Sequence, residues 1–218
     1  MLKKFLSVVL SLLLTVSLSA CGSVPVTNFS IGAGNSSVSS GGDFNANLKA
    51  QIQNCTPIVD YEKNTSVDKM DTVTFGLDSN GEPIEWIVLE KDERTAKLLS
   101  KYLLDSHRYN DDQELDITWE NSTCKKWLNS DFMKRSFSEK EQNSIMKIFL
   151  LNIDEFQKYF KSQKREARYK NGKTTSTWWL SSPGISPYTA VCVNGNSRAV
   201  ELSMTLSLGI RPALWVVY

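Results

Sequence analysis

The chain has 218 residues, of which 41% are hydrophobic, and a formal net charge of +1 at pH 7. This balanced charge offers no basic surplus for the phosphates of nucleic acid, so a nucleic-acid partner is not expected. The four cysteines, Cys21, Cys55, Cys124 and Cys192, are widely and irregularly spaced. They predict neither a paired-cysteine metal site nor a disulfide scaffold, and no metal or other cofactor is expected.

The N-terminus carries the most specific signal in the chain. Lys3 and Lys4 precede an apolar run that ends in small residues at Ala20, immediately before Cys21. These are the parts of a secretory signal peptide, and the run is too short and too often broken by Ser and Thr for a transmembrane anchor. The Leu-Ser-Ala-Cys ending resembles the lipobox of bacterial lipoproteins. It implies that residues 1–20 are removed and that lipid on Cys21 anchors the chain to the extracytoplasmic face of the cell membrane. An ordinary secreted protein is the alternative.

A change in composition marks residues 21–66. From residue 22 to residue 47 the chain is rich in Gly, Ser and Asn, and such a stretch buries too little apolar surface to offset the entropy of ordering it. It predicts a flexible tether behind the lipid-attachment cysteine. Residues 48–66 are ambiguous, with a possible short strand at residues 56–61. The folded domain is expected to span residues 67–218.

Strands come first within this domain. Residues 71–77 predict a short strand, and residues 83–104 predict a hairpin that turns at Asp92 and Glu93. The first strand of the hairpin has apolar residues on both faces. We therefore expect it to be covered on both sides.

Helical spacing follows the hairpin. Cys124, Trp127 and Leu128 occur at positions i, i+3 and i+4, and residues 138–141 form a capping box at the start of a further helix. Residues 152–160 begin with a similar cap pattern and carry an apolar stripe. The middle of the domain is therefore predicted to be helical.

The chain ends in strands. Residues 188–204 predict two strands joined by a tight turn at Asn194 and Gly195, where both central positions need positive φ. The last predicted strand, residues 209–218, contains Pro212, which cannot donate to a sheet and so predicts an edge or bulged strand. Strands on both sides of a helical block indicate an α+β fold with antiparallel strands and two or three short helices.

Several sequence blocks resemble, in order, a family of bacterial extracytoplasmic domains of unknown function. They are PIEWIVLE, TWENSTCKKWLN, IFLLNIDEFQKYF, TWWLSSPG and LGIRPALW. Members of that family often carry WWLRSPG and end in GVRPALW, and the resemblance covers residues 73–218. The second half is also similar to the wider C-type-lectin-like group, which includes formylglycine-generating enzymes and bacterial ligand-binding domains. The resemblance implies a compact C-type-lectin-like domain.

Departures from these relatives limit what the resemblance implies. Ser181 stands where the family usually has the arginine of WWLRSPG. The calcium-and-sugar tripeptides of C-type lectins are not apparent, so calcium-dependent sugar binding is not implied. Formylglycine-generating enzymes hold copper with two nearby cysteines, whereas Cys192 stands alone, so their oxidase chemistry is not implied either.

The tryptophans and the arginine of these blocks are expected mainly in the core. Adjacent residues of a strand point to opposite faces, so Trp178 and Trp179 cannot share one surface patch. At least one should be buried, and the other is either buried or a platform for a ligand. Trp86 and Trp127 are expected in the core. Arg211 is expected to pair with a buried carboxylate or a backbone carbonyl rather than with a ligand.

Loop residues are the candidates for contact with a ligand, because rigid scaffolds carry binding residues on their connections. Tyr188, which ends the loop at residues 181–188, is one candidate. The turn that follows contributes Asn194, Asn196 and Arg198. The loop and the turn lie at opposite ends of a predicted strand, so one of the two regions is favoured over both, and the loop is preferred.

The other polar candidates fit solvated loops better than sites. His107 is the only histidine of the chain, and a surface position is favoured over a catalytic one. The neighbouring acidic run lacks the glycine and the spacing of a calcium loop, so a solvated loop is favoured there too. That run consists of Asp111, Asp112, Glu114 and Asp116.

Two classes of function remain after these predictions. A lipid-anchored module that binds an envelope glycan or a surface protein is favoured, because a signal, a tether and a compact domain are the parts that this role needs. A surface enzyme of the formylglycine-generating type with altered chemistry is the alternative, although no catalytic residue can be assigned. Converging titratable groups with perturbed pKa values in a cleft would favour the enzyme, and an aromatic and polar rim would favour binding.

Overall fold

The computed structural model describes residues 42–218, except for residue 63, residues 161–166 and residue 175. The predicted signal peptide, Cys21 and the first half of the predicted tether lie outside these residues. The described helices are α1 (Gly42–Asn54), α2 (Thr123–Trp127), α3 (Met133–Ser136), α4 (Glu139–Ser144) and α5 (Ile153–Phe160). The described strands are β1 (Thr72–Leu77), β2 (Pro83–Lys91), β3 (Thr95–Ser100), β4 (Asp105–Arg108), β5 (Ile145–Phe149), β6 (Trp178–Pro183), β7 (Thr189–Val193), β8 (Ala199–Ser203), β9 (Ser207–Ile210) and β10 (Ala213–Val217).

These strands form two five-stranded sheets. The first has the order β1-β2-β3-β10-β5, and all of its neighbouring strands are antiparallel. The second has the order β4-β9-β6-β7-β8, and only its β6–β9 pair is parallel. The predicted α+β fold with antiparallel strands and short helices is confirmed in this general form. A π-helical turn, Leu128–Phe132, joins α2 to α3.

The β2–β3 hairpin lies at the centre of the core, as its sequence predicts. Consecutive residues of β2 from Trp86 to Leu89 are buried, so this strand is covered on both faces. The indole N–H of Trp86 donates to the carbonyl of Phe75 at 2.7 Å. A buried tryptophan whose one polar atom is satisfied stabilises the core without a desolvation penalty.

Residues 42–66 differ from the predicted tether and its ambiguous continuation. Leu48 and Ile52 of α1 are buried in the core. The Lys91 ammonium reaches from β2 to the end of α1, where it donates to three backbone carbonyls at 2.7 to 3.2 Å. A helix whose C-terminal carbonyls are satisfied by a residue so distant in sequence carries no local stop signal. The packed unit therefore includes α1, and the predicted boundary at Val67 falls inside it.

The predicted strand at residues 56–61 is wrong. Ile58–Asp60 form a 3₁₀ turn instead, and Ile58 is buried. Among the described residues, none of the helices combines the length with the apolar character that crossing a bilayer would require.

The predicted last strand is divided between the two sheets. Its first part is β9 in the second sheet, and its second part is β10, which lies between β3 and β5 in the first sheet. The chain changes sheets at Arg211 and Pro212. The carbonyl of Pro212 accepts from the Ser100 N–H at 2.9 Å. Pro212 thus lies at the crossover between the sheets. Instead of forming the predicted edge or bulged strand, the chain changes sheets at this point.

The predicted two-residue turn between β7 and β8 is also wrong. The connection has five residues, 194–198, and its left-handed residue is Ser197, with φ of 58°. The side chain of Asn194 explains this, because its Oδ1 accepts the N–H groups of Asn196 and Arg198, each at 3.0 Å. An asparagine side chain that holds a longer turn removes the need for a tight one.

Candidate functional site

A cleft of about 290 Å³ lies where the first sheet meets the start of α5. We call it the aromatic cleft because three of its lining side chains are aromatic. Its volume is at the lower end of ligand-binding pockets, which enclose about 300 to 1,000 Å³. The lining residues are Trp119, Glu120, Lys147, Phe149, Leu150, Asn152, Glu155, Ser181 and Trp215.

Strand register places Trp215 in the aromatic cleft. In β10 it is paired on one side with Lys97 of β3 and on the other with Lys147 of β5. Its neighbours Leu214 and Val216 point to the opposite face and are buried. Trp215 is therefore half-buried beside two lysine stems.

Trp119 enters the cleft from the connection that precedes α2. Its carbonyl accepts from both the backbone N–H and the hydroxyl of Ser122, at 3.3 and 3.0 Å. Its ring packs 6.1 Å from that of Tyr109, which in turn lies 5.8 Å from the ring of Trp179. Trp119 is only 9% exposed, so it is held rigidly by the core behind it.

A partly buried ion pair fixes the carboxylate at one side of the cleft. The Lys97 ammonium lies 2.5 Å from Oε1 of Glu155 and within about 6 Å of the rings of Phe149, Tyr159 and Trp215. The other oxygen of Glu155 accepts the backbone N–H of Asn152 at 2.9 Å. Since both oxygens are already held, Glu155 has one orientation and can offer only its remaining lone pairs.

Several hydrogen-bond donors in the cleft are not used by the protein. Within the described part of the chain, the indole N–H groups of Trp119 and Trp215 form no hydrogen bond, and neither do the side-chain hydroxyl of Ser181 or the amide nitrogen of Asn152. By contrast, the indole N–H of Trp179 donates to the carbonyl of His107 at 3.0 Å. A partly enclosed cleft with aromatic faces and free donors is suited to an oxygen-rich, uncharged ligand.

The charges around the cleft largely balance. Lys97 pairs with Glu155, and Lys125 pairs with Glu120 and lowers the pKa of that carboxyl. The Lys147 ammonium lies 5.0 Å from the centre of the Phe149 ring and is exposed. The cleft therefore presents no strong field of one sign to a ligand.

The structure buries both tryptophans of the Trp178–Trp179 pair. Trp178 packs against the ring of Phe156 and the Arg211 guanidinium, and Trp179 packs against Tyr109 on the other face. Their exposed fractions are 1% and 0%. Neither is a ligand platform, because β6 lies inside the second sheet and is covered on both sides.

Arg211 is fully buried between the rings of Phe160 and Trp178. Its Nε donates to the carbonyl of Ser100 at 3.0 Å, and one terminal nitrogen donates to that of Lys101 at 3.4 Å. These backbone partners belong to the end of β3 and the residue that follows it. Arg211 thus connects the crossover between the sheets to the hairpin of the first sheet.

Trp127 is not fully buried, although the sequence predicts a core position for it. Its side chain is half-buried, and its ring stacks on that of His107 at 4.6 Å. His107 is in β4, the edge strand of the second sheet, and Trp127 also packs 5.6 Å from the ring of Phe132. Trp127 also lies outside the aromatic cleft.

The predicted contact residues are not gathered in one place. Tyr188 is 42% exposed just before β7, and the turn with Asn194, Asn196 and Arg198 follows the other end of that strand. Asn194 is half-buried and uses its side chain to hold the turn, whereas Asn196 and Arg198 are exposed. None of these four lines the aromatic cleft.

The described cysteines are buried and free. Burial raises the pKa of Cys124 to about 12 and that of Cys192 to about 11, and it also raises the pKa of Cys55. These thiols stay protonated at neutral pH, so they supply no thiolate nucleophile. In the part of the chain that the structure describes, which includes the acidic run from Asp111 to Asp116, no group of three or more His, Cys, Asp or Glu side chains could hold a metal ion.

Sequence reasoning missed the residues that line the aromatic cleft. Trp215 could have been found from alternation in β10, which places it opposite Leu214 and Val216. No local pattern could have placed the other three residues in the cleft, because the connection before α2 meets the start of α5 only in the folded domain. These residues are Trp119, Asn152 and Glu155. The sequence predicts Asn152 and Glu155 as a helix cap, and the cap is present.

The fold and the cleft define a small α+β domain with one polar and aromatic concavity beside its fifth helix. The chain belongs to the family described as domain of unknown function DUF6273, whose model matches residues 93–157 and 147–217. No curated protein and no solved structure matches the chain. The description of the family names no activity.

Proposed function

We propose that this protein is a lipid-anchored extracytoplasmic module that binds a neutral glycan of the cell envelope in the aromatic cleft. Lipid on Cys21 holds the chain at the membrane, and the Gly- and Ser-rich segment that follows spaces the domain from it. The domain is related to the C-type-lectin-like group, but it binds without calcium. The WWLSSPG and GIRPALW blocks support that relationship.

The observation that carries the glycan proposal is the set of groups around the cleft. Aromatic rings offer apolar faces to the C–H side of a sugar ring, and free N–H and O–H donors offer hydrogen bonds to its oxygens. Trp215 supplies both features, and Trp119, which is only 9% exposed, supplies a free N–H at the wall of the cleft. Because each carboxylate at the cleft is paired with a lysine, an uncharged ligand is favoured over an ionic one.

A single substitution at Ser181 tests the cleft. Relatives with WWLRSPG would place an arginine at this position, and Ser181→Arg introduces a bulky cation into the cleft. We expect the affinity of the purified full chain for insoluble cell-wall glycan, stripped of peptides and anionic polymers, to fall at least about tenfold, or about 1.4 kcal/mol. Co-sedimentation measures it. Ser186→Arg makes the same change in an exposed loop and should bind as the parent does.

Asn152→Asp is a second, milder test of the same cleft. Aspartate caps a helix as well as asparagine does, so α5 keeps its start. The substitution replaces a free donor by an acceptor and adds a negative charge, so glycan binding should weaken while the melting temperature is retained. Undiminished binding by both Ser181→Arg and Asn152→Asp would refute the proposed site.

The anchor is tested separately. Cys21→Ser removes the thiol that lipid requires, and the mutant chain should be released into the medium or remain unprocessed. Metabolic labelling with a fatty acid distinguishes the two forms. Continued lipid labelling of Cys21→Ser would show that the anchor lies elsewhere.

A further inference from the structure

The structure has a second concavity, of about 890 Å³. It is lined by the β1–β2 turn, the start of β2, residues 102–106 and residues 169–171. We call it the acidic groove. None of its lining residues lines the aromatic cleft, so the two concavities are separate.

Four carboxylates line the acidic groove against a single lysine. Lys101 and Lys170 lie 2.8 and 3.7 Å from the carboxylate of Glu85. Arg135 lies 2.9 Å from that of Asp105. Two of the four charges are therefore already balanced by cations of the protein.

The other two carboxylates, Asp78 and Glu82, are unbalanced and share one tight turn. Oδ1 of Asp78 accepts the N–H groups of Asn80 and Glu82 at 2.8 and 3.0 Å, so the turn holds this carboxylate in place. Within the described part of the chain, neither Asp78 nor Glu82 forms an ion pair. The rim thus presents the fixed negative charge of Asp78 and the exposed negative charge of Glu82, neither of which a described cation of the protein contacts.

The rest of the groove suits a chain rather than a small ion. Ile84 and Leu103 are apolar and nearly buried at its base. On the opposite wall Tyr169 is 36% exposed, and its hydroxyl donates to the carbonyl of Asp105 at 3.2 Å. The amide side chains of Asn80 and Asn171 also line the groove, and amides can pair with both N–H and C=O groups of a peptide.

We propose that the acidic groove binds an extended, lysine- or arginine-bearing peptide segment of a partner protein. The cationic side chains pair with Asp78 and Glu82, and the intervening residues lie over Ile84, Leu103 and Tyr169. The chain's own tether is not the occupant, because residues 22–41 contain no cationic residue. Charge complementarity of this kind governs encounter and partner choice more than it governs raw affinity.

The test uses the purified full chain and the fluorescent pentapeptide Lys-Ala-Lys-Ala-Lys, with fluorescence anisotropy as the readout. Asp78→Asn combined with Glu82→Gln removes both free charges and keeps the acceptor that holds the turn. We expect this double variant to bind at least about tenfold more weakly. Glu93→Gln combined with Glu114→Gln removes two exposed charges outside the groove and should leave the affinity unchanged.

Two further measurements make the proposal falsifiable. Parent binding should weaken with added salt, because the free charges are solvent-exposed. Replacing the lysines of the probe by acetyl-lysine should abolish binding. Absence of binding, equal losses in the two double variants, or equally tight binding of spermine would overturn the proposal.

Discussion

Two pairs of tryptophans in this domain have opposite surroundings. Trp178 and Trp179 are adjacent in β6, fully buried, and packed on the two faces of an interior strand. Trp119 and Trp215 are far apart in sequence, meet at the aromatic cleft, and keep free indole N–H groups. The conspicuous pair in the sequence is therefore structural, and the inconspicuous pair forms the candidate site.

This comparison shows that the surroundings of a tryptophan in the folded domain, rather than the number of aromatic residues near it in the sequence, decide its role. Both faces of β6 are covered, because Trp178 packs against Phe156 and Arg211 while Trp179 packs against Tyr109. Trp215 is on the face of the first sheet that α5 covers only in part. A partly covered aromatic residue with an unused polar atom is the one that can bind a ligand.

The largest effect is expected for the buried pair. Trp178→Ala should lower the free energy of unfolding by about 3 to 5 kcal/mol, because it leaves a cavity beside Phe156 and removes the ring against which Arg211 packs. Trp215→Ala should cost clearly less, since that ring is already half-exposed. Urea denaturation measures both. Equal losses would show that the cleft pair is as structural as the buried pair.

The second-largest loss of stability is expected for a substitution of Arg211. Arg211→Lys keeps the positive charge but loses the planar set of donors that reaches the carbonyls of Ser100 and Lys101. The free energy of unfolding should fall by about 1.5 to 3 kcal/mol. Denaturant titration measures the loss. An unchanged stability would mean that the crossover between the sheets does not depend on these bonds.

A smaller effect is expected from Glu90, which supports α5 next to the cleft. Burial alone would raise the pKa of Glu90, but hydrogen bonds from Lys158 and Tyr159 outweigh it and lower the pKa. A carboxyl group with a lowered pKa in the folded state stabilises the fold above its ordinary pKa, and this stabilisation is lost as the pH falls through the lowered value.

The parent should therefore lose more stability than Glu90→Gln between about pH 5 and pH 3. Since the side chain of Glu90 is one-third exposed, the difference should be under about 1 kcal/mol. Thermal melts across this pH range measure it. A steeper loss in Glu90→Gln than in the parent would contradict the sign of the shift.

The smallest effect is expected at the exposed loop. Tyr188→Ala should change stability by no more than about 0.5 kcal/mol, because Tyr188 is 42% exposed. If the aromatic cleft is the glycan site, binding should also be unchanged. Loss of glycan binding in this variant, with stability retained, would instead favour the loop that the sequence indicated.

Local patterns predict the parts of this fold that are built locally. The β2–β3 hairpin follows from two β-rich runs joined at Asp92 and Glu93, and the caps of α4 and α5 follow from cap residues that lie close together in sequence. The helix α1 could not be predicted from the Gly-, Ser- and Asn-rich composition around it, because it is stabilised by the packing of Leu48 and Ile52 in the core. The division of the last strand at Pro212 depends on which sheet each half joins, and the cleft depends on the same long-range placement.

An NMR titration of the indole N–H groups is the most direct test of whether the aromatic cleft binds a neutral glycan. The chain has six tryptophans, and Trp→Phe substitutions assign their signals. Neutral oligosaccharides added to about 10 mM would detect dissociation constants in the millimolar range. We expect the signals of Trp119 and Trp215 to shift in a saturable way, while those of Trp86 and Trp179, whose N–H groups donate to backbone carbonyls, stay in place. Unchanged Trp119 and Trp215 signals with every sugar tested would contradict it.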